Sequence, residues 1–201
     1  MWEQRYAEDE YAYGTEPNDF VREFADRIPA GPVLCLAEGQ GRNAVFLAER
    51  GHATTAVDAS ATGMARAAEL AAARGVTIET VVSDLAHFEI ARGQITAGHW
   101  AGIVSVFAHV PPPLRAAVHR QVVAGLRPGG VFVLEAYTPA QIGRGTGGPP
   151  VAELTMTLAG LQKELDGLEI VIGHERIREV IEGRYHTGEA AVVQLLARKP
   201  D

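Results

Sequence analysis

Apolar runs of strand length recur at residues 33–37, 54–57, 77–82, 102–107 and 131–137, and most are separated by stretches of helical character. That alternation predicts an α/β fold in which parallel strands are joined by crossover helices lying on both faces of one sheet. The helices carry their own punctuation. Residues 42–50 stop at Gly51, Ser60 caps an alanine-rich stretch over 61–74 that stops at Gly75, and residues 114–126 follow Pro111, Pro112 and Pro113. Pro17 stands in the first turn of a helix expected to run to Ile28.

Beyond the fifth strand the pattern changes. A loop over 142–150, dense in glycine and proline, precedes a helix expected over 151–165. Residues 168–171, 176–182 and 190–197 then read as strands, the last two joined by Gly183-Arg184-Tyr185-His186-Thr187-Gly188, so the sheet is expected to finish in an antiparallel pair. No repeat, charge block or linker divides the 201 residues, a length that suits a single domain spanning 1–201.

Composition removes several classes of function. A formal charge of -7 repels polyanions, so neither nucleic acid nor an acidic membrane is expected as a partner. Met1-Trp2-Glu3-Gln4-Arg5 lacks the basic-then-apolar order of a signal peptide, and no apolar run approaches the ~20 residues of a membrane span. A cytoplasmic monomer or homodimer is expected. The one cysteine, Cys35, lies inside the apolar run 32–37 and reads as a small buried hydrophobe. His52, His87, His99, His119 and His174 are dispersed without ligand-like spacing, so no metal is expected.

The segment Leu36-Ala37-Glu38-Gly39-Gln40-Gly41-Arg42-Asn43-Ala44 leaves the first strand and opens a helix. Glycines so placed let the backbone approach a ligand closely. A tight turn with no ligand is one reading. A dinucleotide site is another, because Gly39-x-Gly41-x-x-Ala44 fits the relaxed pattern and Asp58 lies about 20 residues on, where a ribose-binding acid belongs. Glu38 weighs against the dinucleotide: an acid there opposes a pyrophosphate at the helix N-terminus. It suits instead a ligand that has an ammonium group and no phosphate, as in the methionine part of S-adenosylmethionine. Asp84, in Ser83-Asp84-Leu85, then meets an adenine amino group and Asp58 the ribose hydroxyls.

These segments, with Ala56-Val57-Asp58, residues 103–109 and Leu126-Arg127-Pro128-Gly129-Gly130-Val131-Phe132, keep one order along nearly the whole chain. In that order the chain resembles class I S-adenosylmethionine-dependent methyltransferases. The resemblance implies a Rossmann-like, seven-stranded, mostly parallel doubly wound sheet, with S-adenosylmethionine as cofactor. The cofactor-binding residues it implies are Tyr13, Glu38, Gly39, Gly41, Asn43, Asp58, Ala59, Asp84, Leu85 and Phe107. Trp2-Glu3-Gln4-Arg5-Tyr6 and Tyr11-Ala12-Tyr13-Gly14-Thr15-Glu16-Pro17-Asn18 are similar to the opening of tellurite-resistance and thiopurine-type methyltransferases. There this segment folds over the cofactor, which implies a covering arm and helix over 1–28. An aromatic arm packed on the sheet accounts for the same residues.

Methyl transfer from a sulfonium is an in-line displacement, so the protein chiefly aligns the acceptor and excludes water. The reaction centre of a doubly wound sheet lies beyond the carboxyl ends of its strands, which directs attention to Phe107-Ala108-His109, Tyr137-Thr138 and Arg184-Tyr185-His186. His109, His186 and Arg184 are the catalytic candidates: His109 to accept a proton, His186 with Arg184 to neutralise an anionic acceptor or favour its deprotonated form. A histidine bonded to loop backbone and an exposed polar turn are the competing readings. Residues 143–148 lack the Gly-Lys-Ser/Thr ending of a phosphate loop and read as a mobile lid or a disordered connection. The expected acceptor is a small soft or anionic molecule, a thiol or a chalcogen oxyanion such as tellurite. The alternatives are an NAD-dependent oxidoreductase and a non-catalytic S-adenosylmethionine-binding protein.

Overall fold

The computed structural model describes residues 2–7, 10–91 and 97–201. Seven strands form one sheet in the order β3-β2-β1-β4-β5-β7-β6. They are β1 (Pro32–Leu36), β2 (Ala53–Asp58), β3 (Glu79–Val82), β4 (Trp100–Val106), β5 (Leu126–Tyr137), β6 (Glu169–Glu182) and β7 (His186–Arg198). The first five pair in parallel; β7 runs antiparallel between β5 and β6. This is the mostly parallel, doubly wound sheet with an antiparallel finish that the hydrophobic pattern predicts.

Alternation along each strand divides the core between the two faces. Leu34 and Leu36 of β1 join Ile103, Phe132 and Leu134 in one layer, closed by Val118 and Val122 of α5 (Pro112–Gly125) and Leu161 of α6 (Leu158–Glu164). Val33 and Cys35 point the other way, joining Val104 and Val133 beneath Ala44 and Leu47 of α3 (Arg42–Glu49) and Met64 and Ala67 of α4 (Ala61–Ala73). Phe20 and Val21 of α2 (Asp19–Phe24) complete that second layer. The strand order reverses between β1 and its neighbours β2 and β4, which opens a crevice at the carboxyl end of β1.

Several boundaries differ from the sequence reading, each for a local reason. The two strands expected at 168–171 and 176–182 are one strand, β6, because Ile172, Gly173, His174 and Glu175 pair in register with β7, with one bulge between Ile170 and Ile172. The connecting turn is shorter than expected, and His186 already belongs to β7. The helix expected over 151–165 is divided into a 3-10 turn (Ala152–Leu154) and α6. Thr155 and Thr157 break it: the Thr155 hydroxyl donates to the Ala152 carbonyl, and the Thr157 hydroxyl accepts from Gly160 N–H to cap the new helix. Pro17 precedes α2 rather than entering it. Asn18 is the cap, its Oδ1 accepting from the N–H groups of Phe20 and Val21, and a 3-10 turn (Ala25–Arg27) follows. No described helix is long and apolar enough to cross a membrane, and no described group of three or more His, Cys, Asp or Glu is arranged to hold a metal ion.

Candidate active site

The turn from β1 into α3 sits at the crevice, and its shape demands glycine. Gly39 and Gly41 have φ of 65° and 90°. A Cβ on Gly41 would stand 2.6 Å from the Cβ of Ala67, so α4 packs directly on the turn. Glu38 is buried, and its Oε1 accepts the N–H groups of Asn43 and Ala44, both at 2.8 Å. The carboxylate therefore caps α3. Burial raises its pKa to about 7 against those bonds. Its other oxygen, Oε2, meets Asn43 Nδ2 at 3.5 Å.

Asp58 ends β2 and braces the same turn: Oδ2 accepts from Gly39 N–H at 2.9 Å and Oδ1 from Ser60 N–H at 2.8 Å. Burial raises its pKa as well. Ser83 N–H donates to the Asp58 carbonyl, bringing the ends of β2 and β3 together, so Ala59, Asp84 and Leu85 flank the turn. Asp84 is exposed and accepts from Ala86 N–H, while Leu85 is turned into the core against α5.

The N-terminal arm covers this turn; residues 1, 8 and 9 of the expected 1–28 segment lie outside the described residues. Tyr6, at the end of α1 (Trp2–Tyr6), is buried with its ring beside Gly39 and Gly63, where a Cβ on Gly39 would stand 2.7 Å from the phenol oxygen. Ala12 N–H donates to Gln40 Oε1 of the turn, and the Ala12 carbonyl accepts from Arg184 N–H of the late hairpin. The arm thus bridges the glycine turn and the hairpin.

Beside it the ends of β4, β5 and β7 bring together a cluster of packed rings. Phe107, held at φ 52°, stacks on Tyr137 with centroids 4.4 Å apart. His186 meets Phe107 edge-on at 4.7 Å, and Tyr13 of the arm covers His186 at 4.4 Å. A side chain at positive φ is costly and persists only where its surroundings require it. The loop expected as a lid or a disordered connection is packed here: a Cβ on Gly147 would be 2.7 Å from His186 Cδ2 and 3.2 Å from Tyr137 Oη.

The three catalytic candidates fare differently. His109 lies in the stack, 5.5 Å from Tyr137, but Nδ1 pairs with the Leu154 carbonyl at 2.8 Å and Nε2 accepts Tyr137 N–H at 3.4 Å. With both nitrogens committed to backbone, and its pKa pushed down by burial to about 4, it orients Tyr137 and is not free to take a proton. His186 lies within the cluster, yet burial lowers its pKa to about 3, so near neutral pH it is uncharged. Arg184 is exposed, its guanidinium over the Tyr185 ring. The expected cationic pair is absent because one partner is buried and neutral and the other faces outward.

Four buried side-chain atoms on the turn, α3 and the ring cluster have no hydrogen-bond partner among the described residues: Gln40 Nε2, Arg42 Nη1, Tyr137 Oη and His186 Nδ1. An orphaned buried polar group costs about 1–3 kcal/mol unless a ligand or solvent meets it. Tyr137 lies at a strand end to which the sequence directs attention, and Gln40 and Arg42 lie within the glycine turn, but the sequence assigns none of the three a role. Arg42 also pairs through Nη2 with Glu182 Oε2 at 2.6 Å, and Glu182 Oε1 accepts from Asn18 and Arg178. Burial alone would raise the Glu182 pKa, but Arg42 and Arg178 outweigh it and hold the carboxylate below its ordinary range.

A family model described as a methyltransferase domain matches residues 33–130, from β1 to the turn inside β5. A curated relative from Mycobacteroides abscessus, named as a 2-heptyl-1-hydroxyquinolin-4(1H)-one methyltransferase, is 31% identical over 127 residues, covering 61% of this chain and 54% of that protein. The match thus spans about half of the relative's length. Among solved structures, TehB from Haemophilus influenzae superposes with a TM-score of 0.73 at 20% identity, over 91% of this chain and 62% of that one. The N-methyltransferase NodS from Bradyrhizobium japonicum, solved with S-adenosyl-L-homocysteine, gives 0.69 at 16% identity over 100% and 97%. At these identities the two structures share the fold.

Proposed function

From the methyltransferase-domain match over residues 33–130 and the fold shared with NodS, we propose that this chain is a class I S-adenosylmethionine-dependent methyltransferase that moves a methyl group from S-adenosylmethionine to a small acceptor near the ring cluster. When bound, the cofactor supplies a methyl group on a sulfonium, ready for in-line displacement. Tyr13, Glu38, Gly39, Gly41, Asn43, Asp58, Ala59, Asp84, Leu85 and Phe107 are the residues proposed to hold it. The fit rests on chemistry at the turn. Glu38 Oε2 makes only a long contact to Asn43 and can meet an ammonium, Arg42 Nη1 lacks a partner among the described residues and can meet a carboxylate, and Asp58 retains lone pairs for ribose hydroxyls.

The single observation that carries this reading is the seat of Glu38. Its Oε1 already takes the N–H groups of Asn43 and Ala44, the donors on which a dinucleotide would rest its pyrophosphate. This weighs against the NAD-dependent alternative more strongly than charge repulsion alone. Calorimetry tests the proposal: S-adenosylmethionine and its demethylated product bind the folded protein, whereas absence of binding at millimolar concentration rejects it. Quenching of nicotinamide fluorescence would revive the oxidoreductase. Release of S-adenosylhomocysteine with any acceptor rules out a binding protein without catalysis.

The acceptor is proposed to be small and soft. The sequence resemblance to tellurite-resistance and thiopurine-type methyltransferases supports a thiol or a chalcogen oxyanion such as tellurite. Neutral His186 and exposed Arg184 do not form the expected cationic pair, but the Arg42 and Arg5 guanidiniums act on the same region, so charge does not choose between thiol and oxyanion. The name of the M. abscessus relative supports a hydroxylated heteroaromatic as the second reading.

A further inference from the structure

Glu182 closes β6, far along the chain from the glycine turn, and is buried. Its two oxygens serve two branches that both end at that turn. Oε2 accepts from Nη2 of Arg42, the first residue of α3, at 2.6 Å. Oε1 accepts from Asn18 Nδ2 at 2.8 Å and from Arg178 Nη2 at 3.1 Å. The Asn18 branch continues inward: its backbone N–H donates to Asn43 Oδ1 at 2.9 Å, which fixes that amide with Nδ2 facing Glu38 Oε2 at 3.5 Å. Burial opposes the Glu182 charge, but Arg42 and Arg178 outweigh it and keep the carboxylate ionised.

Arg178 already has a carboxylate of its own, because its Nε and Nη2 both donate to Glu135 Oε1. Arg42 has no other acid. A guanidinium is a rigid planar fork, so an acceptor that fixes Nη2 also fixes where Nη1 stands. Arg42 is 8% exposed, and Nη1 is the atom left without a partner among the described residues. We infer that Glu182 is a positioning residue for the amino-acid end of the cofactor: it aims Arg42 Nη1 at the carboxylate and, through Asn18 and Asn43, steadies Glu38 for the ammonium. The assignment rests on the methyl-transfer reading and adds to it a residue of the antiparallel finish. The nucleoside end, proposed for Asp58 and Asp84, makes no hydrogen bond to this chain of groups, so Glu182 bears on one end of the cofactor only.

Two ligands separate those ends. S-Adenosylhomocysteine carries the amino-acid group, whereas 5′-methylthioadenosine keeps only the nucleoside and its thioether. Calorimetry on folded Glu182→Gln is expected to show S-adenosylhomocysteine weakened about tenfold, the scale of a hydrogen bond to a charged group, with 5′-methylthioadenosine within about twofold of the parent. General loosening of the fold would weaken both ligands together. Glu182→Asp keeps the charge that both arginines face while drawing it back from Arg42; it serves where Glu182→Gln does not fold, and the same split is expected. Arg42→Met should give that split too, and the loss in the double variant should fall short of the product of the single losses, because Glu182 then has no guanidinium to aim. Equal weakening of the two ligands, unchanged S-adenosylhomocysteine binding in the folded variants, single losses that multiply, or a parent that binds S-adenosylhomocysteine no tighter than 5′-methylthioadenosine would each overturn the assignment. A parent that binds neither compound would instead strike the methyl-transfer reading beneath it.

Discussion

Glu38 sits where a buried carboxylate meets the N-terminus of α3, and its raised pKa turns that position into a measurable quantity. The folded pKa of about 7 lies above the ordinary 4.5, so between those values the native state holds a proton that the unfolded chain releases. The stability this group contributes is fully present below pH 4.5 and is lost as pH rises through 7. Glu38→Gln should remove that component, seen as a flatter dependence of melting temperature on pH. An ammonium near Oε2 favours the charged carboxylate, so binding of S-adenosylmethionine should expel a proton and strengthen as pH rises through 7. Calorimetry in buffers of different ionisation enthalpy reads the proton directly, and its absence in the parent protein would remove Glu38 from the ammonium site. The acid itself was legible in the sequence; that its first task is to cap a helix was not, because capping depends on where the turn carries the side chain.

Among the elements, the arm and the β6–β7 hairpin act through a contact between two glycines. A Cβ on Gly183 would fall 2.5 Å from Gly14 N and 2.6 Å from the Ala12 carbonyl oxygen. Gly183→Ala should therefore lift the arm. Trp2 fluorescence and proteolysis within the first residues should report the release, with S-adenosylmethionine affinity falling about tenfold, or about 1.4 kcal/mol. An arm as protected as in the parent would show that it is held elsewhere. A second joint ties α5 to α6, where Arg115 and His119 bind Glu164 at 2.8 and 2.7 Å. Burial opposes the charge, but these bonds outweigh it and bring the Glu164 pKa to about 2, below its ordinary 4.5. Its stability is present above pH 4.5 and is lost as pH falls toward 2. Glu164→Gln should melt earlier at neutral pH and lose less on acidification. Of these elements α5 was legible from its prolines, whereas α6 was drawn too long, since helical spacing continues across Thr155 and Thr157 until their hydroxyls find local backbone.

Across the molecule, one buried network joins the parallel sheet to its antiparallel finish. Arg178 on β6 binds Glu135 on β5 and Glu182, which in turn holds Arg42 of α3 and the Asn18 cap of α2. Breaking such a pair strands a buried charge, so Arg178→Met should cost about 3–5 kcal/mol by denaturant unfolding, while an exposed pair such as Arg22–Glu16 should cost less than about 1 kcal/mol. A loss below about 1 kcal/mol for Arg178→Met would show that the network does not couple the two parts. By itself the sequence determined the sheet and the turn: runs apolar on both faces can be buried only between layers, and closely spaced glycines after a strand permit positive φ whatever surrounds them. Those are local constraints, carried by neighbours along the chain. Only the tertiary structure decided which polar groups are paired, charged or left waiting. It neutralised His186, committed His109 to backbone, left Arg184 exposed and buried Tyr137 Oη and Arg42 Nη1 without partners among the described residues. Burial and hydrogen-bond satisfaction belong to the packed molecule, and no spacing in the chain encodes them.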